Sequence, residues 1–128
     1  RQQDRAATHA NRGLIYFTLG NPAAAERDYT AALALNPPAD QRAALLLNRG
    51  NLHFVRQNYQ KALADYDQAL KLGLSQTQIP HFNRGLALAQ LNQPDAALAA
   101  YRAALAALPG WPPAQQKIAQ LQSAPPPQ

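Results

Sequence analysis

The sequence predicts an all-α fold of stacked antiparallel helical hairpins, on three observations. A short pattern occurs three times in register: Asn11-Arg12-Gly13 leads to Ala25, Tyr29 and Ala32, Asn48-Arg49-Gly50 to Ala62, Tyr66 and Ala69, and Asn83-Arg84-Gly85 to Ala97, Tyr101 and Ala104. The spacing inside the pattern is constant: glycine to alanine is 12 residues (25−13, 62−50, 97−85) and glycine to tyrosine is 16 (29−13, 66−50, 101−85). The glycines themselves lie 37 and then 35 apart (50−13, 85−50). A constant interior with an elastic period describes a rigid unit joined by loops of varying length, which is how stacked helical repeats read. Finally, alanine supplies much of the 47% hydrophobic content, and alanine favours helix.

The repeated glycine needs a physical reason, because glycine inside a helix costs about 1 kcal/mol against alanine. Close approach of two helices supplies one. Alanines such as Ala62 and Ala69 answer each glycine from the second helix, and the tyrosine fills the space over the crossing.

Residues 1–5 are polar and expected to fray. The first hairpin, 6–38, starts with a helix from about Asp4 to Leu19, stopped by Gly20. Asn21 is a good N-cap and Pro22 suits the first turn of the next helix, which ends at Asn36, Pro37 and Pro38. In the second hairpin, 39–74, Asp40 is expected to cap a helix running to about Arg56. Its apolar residues Leu45, Leu46, Leu52 and Val55 fall at helical spacing. Asn58 marks a turn, and a helix from about Tyr59 to Leu72 is stopped by Gly73. In the third hairpin, 75–110, Ser75 or Thr77 is expected to cap a helix that carries Pro80 near its first turn and ends at about Leu91. Asn92, Gln93 and Pro94 repeat the turn chemistry of Asn21 and Pro22 before a helix from Asp95 to about Leu108. A break at 109–113 precedes a short polar helix, 114–122. Within the segment 111–123 this helix has Ile118, Ala119 and Leu121 to cover the last hairpin, as terminal caps do. The proline-rich tail, 124–128, is expected to be disordered or extended.

Composition sets broad bounds. The net charge of +5 comes from 12 basic and 7 acidic side chains spread along the chain. Nucleic-acid binding would call for a clustered basic stripe. The absence of cysteine excludes disulfides and cysteine-ligated zinc, and leaves cytoplasm and bacterial periplasm equally open. No apolar run is long enough to span a bilayer. The chain begins at Arg1 without a methionine, so it reads as a fragment of a longer protein or a mature form, in which any targeting segment is missing rather than absent. The alanine, glutamine and arginine bias reads as bacterial.

The pattern resembles the tetratricopeptide repeat (TPR). Its marks are a glycine and an aromatic in one helix, then alanine, aromatic and alanine in the next, then proline. The first copy matches through Gly13, Tyr16, Ala25, Tyr29, Ala32 and Pro37. The second departs at His53 and Leu74, which replace the aromatic and the proline, and the third has Leu88 for the aromatic. The resemblance covers residues 6 to 122. It implies a right-handed superhelical solenoid in which the first helix of each hairpin lines a concave groove. Such a groove usually holds an extended peptide or a partner's helix.

That resemblance places Asn11, Asn48 and Asn83 on the groove side. A side-chain amide carries both a donor and an acceptor, matching the N–H and C=O of a peptide backbone. The alternative is that these asparagines only position a neighbouring helix. The remaining groove residues implied are Leu14 and Phe17, then Leu47, Asn51 and Phe54, then Phe82 and Leu86. An apolar lining with an amide rail suits a hydrophobic segment. Alternatively, Phe17 and Phe54 belong partly to the core. A TPR subgroup grips the C-terminal carboxylates of chaperones with lysine, asparagine and arginine. Here Ala10, Leu14, Ile79 and Asn83 stand at four of those places and only Asn48 survives, so no such clamp is expected.

Arg12, Arg49 and Arg84 precede the glycines, and Asp28 and Asp65 lie in the second helices. Pairing from one hairpin to the next, Asp28 with Arg49 and Asp65 with Arg84, is the favoured arrangement over pairing within a hairpin. His9, His53 and His81 lack the three- or four-residue spacing of metal ligands on one helix. Asp65 and Asp67 point apart. No cofactor or metal is implied, and no catalytic constellation is present. The sequence reads as a non-catalytic module that binds a protein or peptide. Its alternatives are self-association through Phe17, Phe54 and the groove, and RNA binding by a helical-repeat groove.

Overall fold

The computed structural model describes residues 1–123, so the expected tail at 124–128 lies outside the described residues. Among them are seven helices: α1 (Gln2–Thr18), α2 (Pro22–Ala34), α3 (Ala39–Val55), α4 (Tyr59–Lys71), α5 (Gln78–Gln90), α6 (Pro94–Ala107) and α7 (Pro112–Ser123). This is the all-α helical-repeat fold the sequence predicts. Two compact units divide it, one from Arg1 to Leu74 and one from Ser75 onward.

Left-handed residues end the helices. Gly20, Gly73 and Gly110 have φ of 78°, 78° and 80°, which glycine adopts without steric cost. Asn36, Gln57 and Asn92 take the same role at φ of 54°, 64° and 59°. Asn92 therefore corresponds to Gly20 and not, as expected, to Asn21. The N-cap place of α6 falls to Gln93. Asn21 does cap α2, its side chain accepting from Ala24 N at 3.3 Å. Two other expected caps are corrected. Pro38 holds the N-cap place of α3, and Asp40 lies inside the first turn, where its carboxylate accepts from Gln41 N at 2.9 Å. A carboxylate there still favours the positive end of the helix. Thr77 holds the N-cap place of α5 without a side-chain cap bond.

The repeated glycine meets the tyrosine rather than the alanines. A Cβ on Gly13 would stand 2.8 Å from Tyr29 Cε1, and one on Gly50 would stand 2.7 Å from Tyr66 Cε1. Gly85 meets Tyr101 in the same way. Each tyrosine is fully or almost fully buried, between alanines of its own helix that are themselves buried: Ala25 and Ala32, Ala62 and Ala69, Ala97 and Ala104. The ring of one helix thus lies against the bare backbone of the other. In the first unit, Leu45 and Leu52 of α3 complete a cluster with Ala6, Ala25, Tyr29 and Ala32, which seats the second hairpin on the first.

In the second unit, Phe82 lies against Tyr101 and Trp111 with ring centroids 5.4 and 5.2 Å apart. The helix α7 packs on α6. Its buried residue is Ala114, while Ala119, expected at that contact, is exposed.

The arginine–aspartate pairs close within hairpins, which overturns the favoured arrangement. Arg12 donates to Asp28 from Nε at 2.9 Å and Nη2 at 2.8 Å, and Arg49 donates to Asp65 from Nε at 2.8 Å and Nη2 at 2.9 Å. Both aspartates sit on the buried side of their helix, facing the first helix of the same hairpin. Each carboxylate is therefore held inside its own hairpin. Arg49 does touch the preceding hairpin, through Nη1 to Thr30 Oγ1 at 3.3 Å.

Candidate functional site

The first helices of the two hairpins in the first unit, α1 and α3, enclose a furrow with two recesses. The larger, about 270 Å³, is lined from α1 by Ala6, Ala7, Ala10 and Asn11 and from α3 by Gln41, Ala44, Leu45 and Asn48. The smaller, about 150 Å³, is lined by Leu14 and Phe17 of α1, Asn48 and Asn51 of α3, and Tyr29 from α2 behind them. Asn48 belongs to both. The small alanines of α1 and α3 leave the first recess open. Among the described residues, no charged side chain lines either recess.

The expected groove residues distribute unevenly. Asn11, Leu14, Phe17, Asn48 and Asn51 come together around this furrow. Phe17 also packs against the core cluster, so it is half core and half wall. Leu47 and Phe54 are half-buried on the side of α3 away from Leu45 and Leu52, and Phe54 meets Tyr59 edge-on at 5.3 Å. They line neither recess. In the second unit, Phe82, Asn83 and Leu86 are all half-buried on α5, with Phe82 engaged by its two aromatic neighbours. Six residues that line the furrow carry no groove signal in the sequence: Ala6, Ala7, Gln41, Ala44, Leu45 and Tyr29. The alanines carry no chemical signal of their own. Their helical spacing with Asn11 and Asn48 was the one clue available.

The hydroxyls of Tyr29 and Tyr66 differ. Tyr66 Oη donates to Asn51 Oδ1 at 2.7 Å. Tyr29 Oη is buried without a hydrogen-bond partner among the described residues. Burial pushes the pKa of both phenols up, so both stay protonated donors at neutral pH.

A second polar cluster flanks α3. His53 is buried, with Nε2 3.6 Å from Asp65 Oδ2 and 3.9 Å from Glu26 Oε1. Glu26 in turn accepts from Arg56 Nη1 at 2.9 Å. Burial holds His53 below the ordinary imidazole range in spite of the two carboxylates. His9 Nδ1 lies 3.4 Å from Asp28 Oδ1, and the Arg12 hydrogen bond draws the Asp28 carboxyl below its ordinary range. The first set ties α2, α3 and α4 together, and the second ties α1 to α2. None of their residues lines either furrow recess. No described helix is long and apolar enough to cross a membrane.

Comparison with known proteins gives a family. The description "Tetratricopeptide repeat" matches residues 10–73 and again 47–112. No curated protein sequence matches the chain as a relative. Among solved structures, the Arabidopsis OM64 TPR domain is 21% identical, covers 95% of this chain and 98% of its own, and superposes with a TM-score of 0.85. The second TPR domain of human RPAP3, in complex with the HSP70 peptide SGPTIEEVD, is 25% identical over 97% of this chain and 100% of its own, with a TM-score of 0.85. The N-terminal domain of the C. elegans stress-induced protein STI-1 is 16% identical over 95% and 98%, again at a TM-score of 0.85. The repeated glycine–tyrosine contact, the antiparallel hairpins and the family match over 10–112 make this chain a member of the tetratricopeptide repeat family.

Proposed function

We propose that the chain is a non-catalytic protein-interaction module that holds an extended, mainly apolar segment of another protein along the α1–α3 furrow. The observation that carries this reading is the wall chemistry. Alanine, leucine and phenylalanine side chains form the two recesses, and the amides of Asn11, Gln41, Asn48 and Asn51 are set among them. Concave apolar surface with a few convergent polar groups suits a ligand that buries side chains and anchors its backbone. Side-chain amides can pair with backbone N–H and C=O whatever the ligand sequence. The likeness to a TPR domain holding a peptide supports a protein partner. The walls argue against the same peptide: Ala10 and Leu14 stand where a carboxylate clamp needs lysine and asparagine. Asn83, at the equivalent place on α5, is the third candidate of the amide rail on repeat equivalence.

The test uses the full chain against random dodecapeptides displayed on phage, with the acidic peptide SGPTIEEVD as comparison. Apolar peptides should be enriched. Their affinity should fall about tenfold or more in the Asn11→Ala/Asn48→Ala double variant, the size of losing one or two hydrogen bonds. The acidic peptide should show no saturable binding. Enriched peptides that ignore the double variant, or tight binding of the acidic peptide, would refute this reading of the furrow.

A further inference from the structure

Repeat equivalence sets the tyrosine hydroxyls of the first two hairpins apart. Asn51 follows Gly50 and accepts from Tyr66 Oη at 2.7 Å. The residue that follows Gly13 is Leu14, whose side chain has nothing to accept with. Tyr29, at the place of Tyr66, is fully buried, and its hydroxyl is left without a partner. Buried polar groups are nearly always paired, so each exception needs a reason. Tyr29 lines the smaller recess, about 150 Å³, beside the Asn48 amide and between Leu14 and Phe17.

We propose that this recess is a subsite for the carboxamide side chain of an asparagine or glutamine in the bound segment. This rests on the peptide-binding reading above. The Tyr29 hydroxyl is closed off from solvent as it stands, so the entering carboxamide displaces the side chains that cover it, and the hydroxyl then donates to the ligand's carboxamide oxygen. The Asn48 amide, able to donate and accept, takes the remaining partner role. Three features select this group over others. A carboxylate would enter a recess that no lysine or arginine lines, and a buried charge without a counter-charge is costly. An aliphatic side chain would fill the space but leave the hydroxyl unpaired. A backbone amide would require the ligand chain itself to bend into the recess and out again. The second hairpin lacks such a subsite, because Asn51 occupies the Tyr66 hydroxyl there.

The experiment takes dodecapeptides selected from the phage library on the full chain and measures them by fluorescence anisotropy. The selected set should share one Asn or Gln among apolar neighbours. Replacing that residue in the peptide, Gln→Met or Gln→Glu (Asn→Leu or Asn→Asp), should weaken binding about tenfold. Tyr29→Phe in the protein should weaken the parent peptide by a similar factor and leave the Met or Leu peptide unchanged, without lowering the melting temperature. Leu14→Asn, which offers Tyr29 an acceptor within its own hairpin, should weaken the parent peptide too. A selected set with no shared carboxamide, or equal affinity of the parent peptide for wild type and both variants, overturns the subsite. If Asn48→Ala removes binding while Tyr29→Phe and Leu14→Asn do not, the subsite falls and the peptide-binding reading stands. If no dodecapeptide is enriched on the wild type, both fall.

Discussion

Gly50→Ala separates two opposed effects whose sizes can be compared. Intrinsic helix propensity favours the alanine by about 1 kcal/mol. Packing opposes it: the new Cβ would stand 2.7 Å from Tyr66 Cε1, 2.9 Å from Cδ1 and 3.3 Å from Cζ. The ring has little freedom to yield. Tyr66 is 1% exposed, Ala62 and Ala69 beside it are fully buried, and its hydroxyl is tied to Asn51. Overpacking of this kind costs about 1–3 kcal/mol, and a ring that shifts far enough also gives up a hydrogen bond of about 1 kcal/mol. The expected net result is destabilisation of about 1–3 kcal/mol, read by urea titration followed by circular dichroism. In a Tyr66→Leu background the penalty should largely vanish, because the atoms in the way are gone. Gly20→Ala is the control: nothing lies within 4 Å of its Cβ, so its cost comes from the left-handed backbone alone. If Gly50→Ala stabilised the protein by about 1 kcal/mol, as propensity alone demands, the close-contact account of the repeated glycine would be refuted.

Two further outcomes follow from the polar network. Asp65→Ala leaves Arg49, whose side chain is only 21% exposed, without the carboxylate that receives its Nε and Nη2, and should cost about 2–4 kcal/mol in the same titration. A loss below about 0.5 kcal/mol would mean that solvent replaces the carboxylate freely. On pH, burial holds His53 and His81 below their unfolded value of about 6.5. The unfolded chain therefore takes up protons first as pH falls through 6.5, and stability present above that pH should decline below it. His53 faces Asp65, Glu26, Arg49 and Lys61, the carboxylates opposing the shift and the cations adding to it. Asp28, drawn down chiefly by its hydrogen bond from Arg12, contributes stability above about pH 3.8 that is lost on further acidification. Melting temperatures between pH 8 and pH 3 should show both declines, and His53→Leu together with His81→Leu should flatten the first. An unchanged profile in that double variant would remove the histidines from the account.

Much of the fold was legible because its causes are local. Glycines and prolines stop helices through backbone constraints that act within a few residues, so the helix ends fall within about two residues of expectation. The turn after α5 was misread for a comparable reason. Both Asn21 and Asn92 are asparagine, yet one caps a helix start and the other accepts a left-handed backbone after a helix end. Asparagine suits both places, and only the path of the chain separates them. The furrow was half legible. Asn11 and Asn48 carry a repeated signal, whereas Ala7 and Ala44 matter through the volume they leave empty, which sequence chemistry does not announce.

By itself the sequence determined the hairpin repeat, the all-α class and the family, because spacing along a helix decides which residues share a face. Tertiary structure alone decided which way the buried polar groups turn. It put Asp28 and Asp65 inside their own hairpins, laid the tyrosine rings on the glycines, and left the Tyr29 hydroxyl without a partner where Tyr66 has Asn51. Those outcomes depend on how far each helix is rotated about its axis. That rotation is set by the sum of contacts with its neighbours, so no short stretch of residues encodes it.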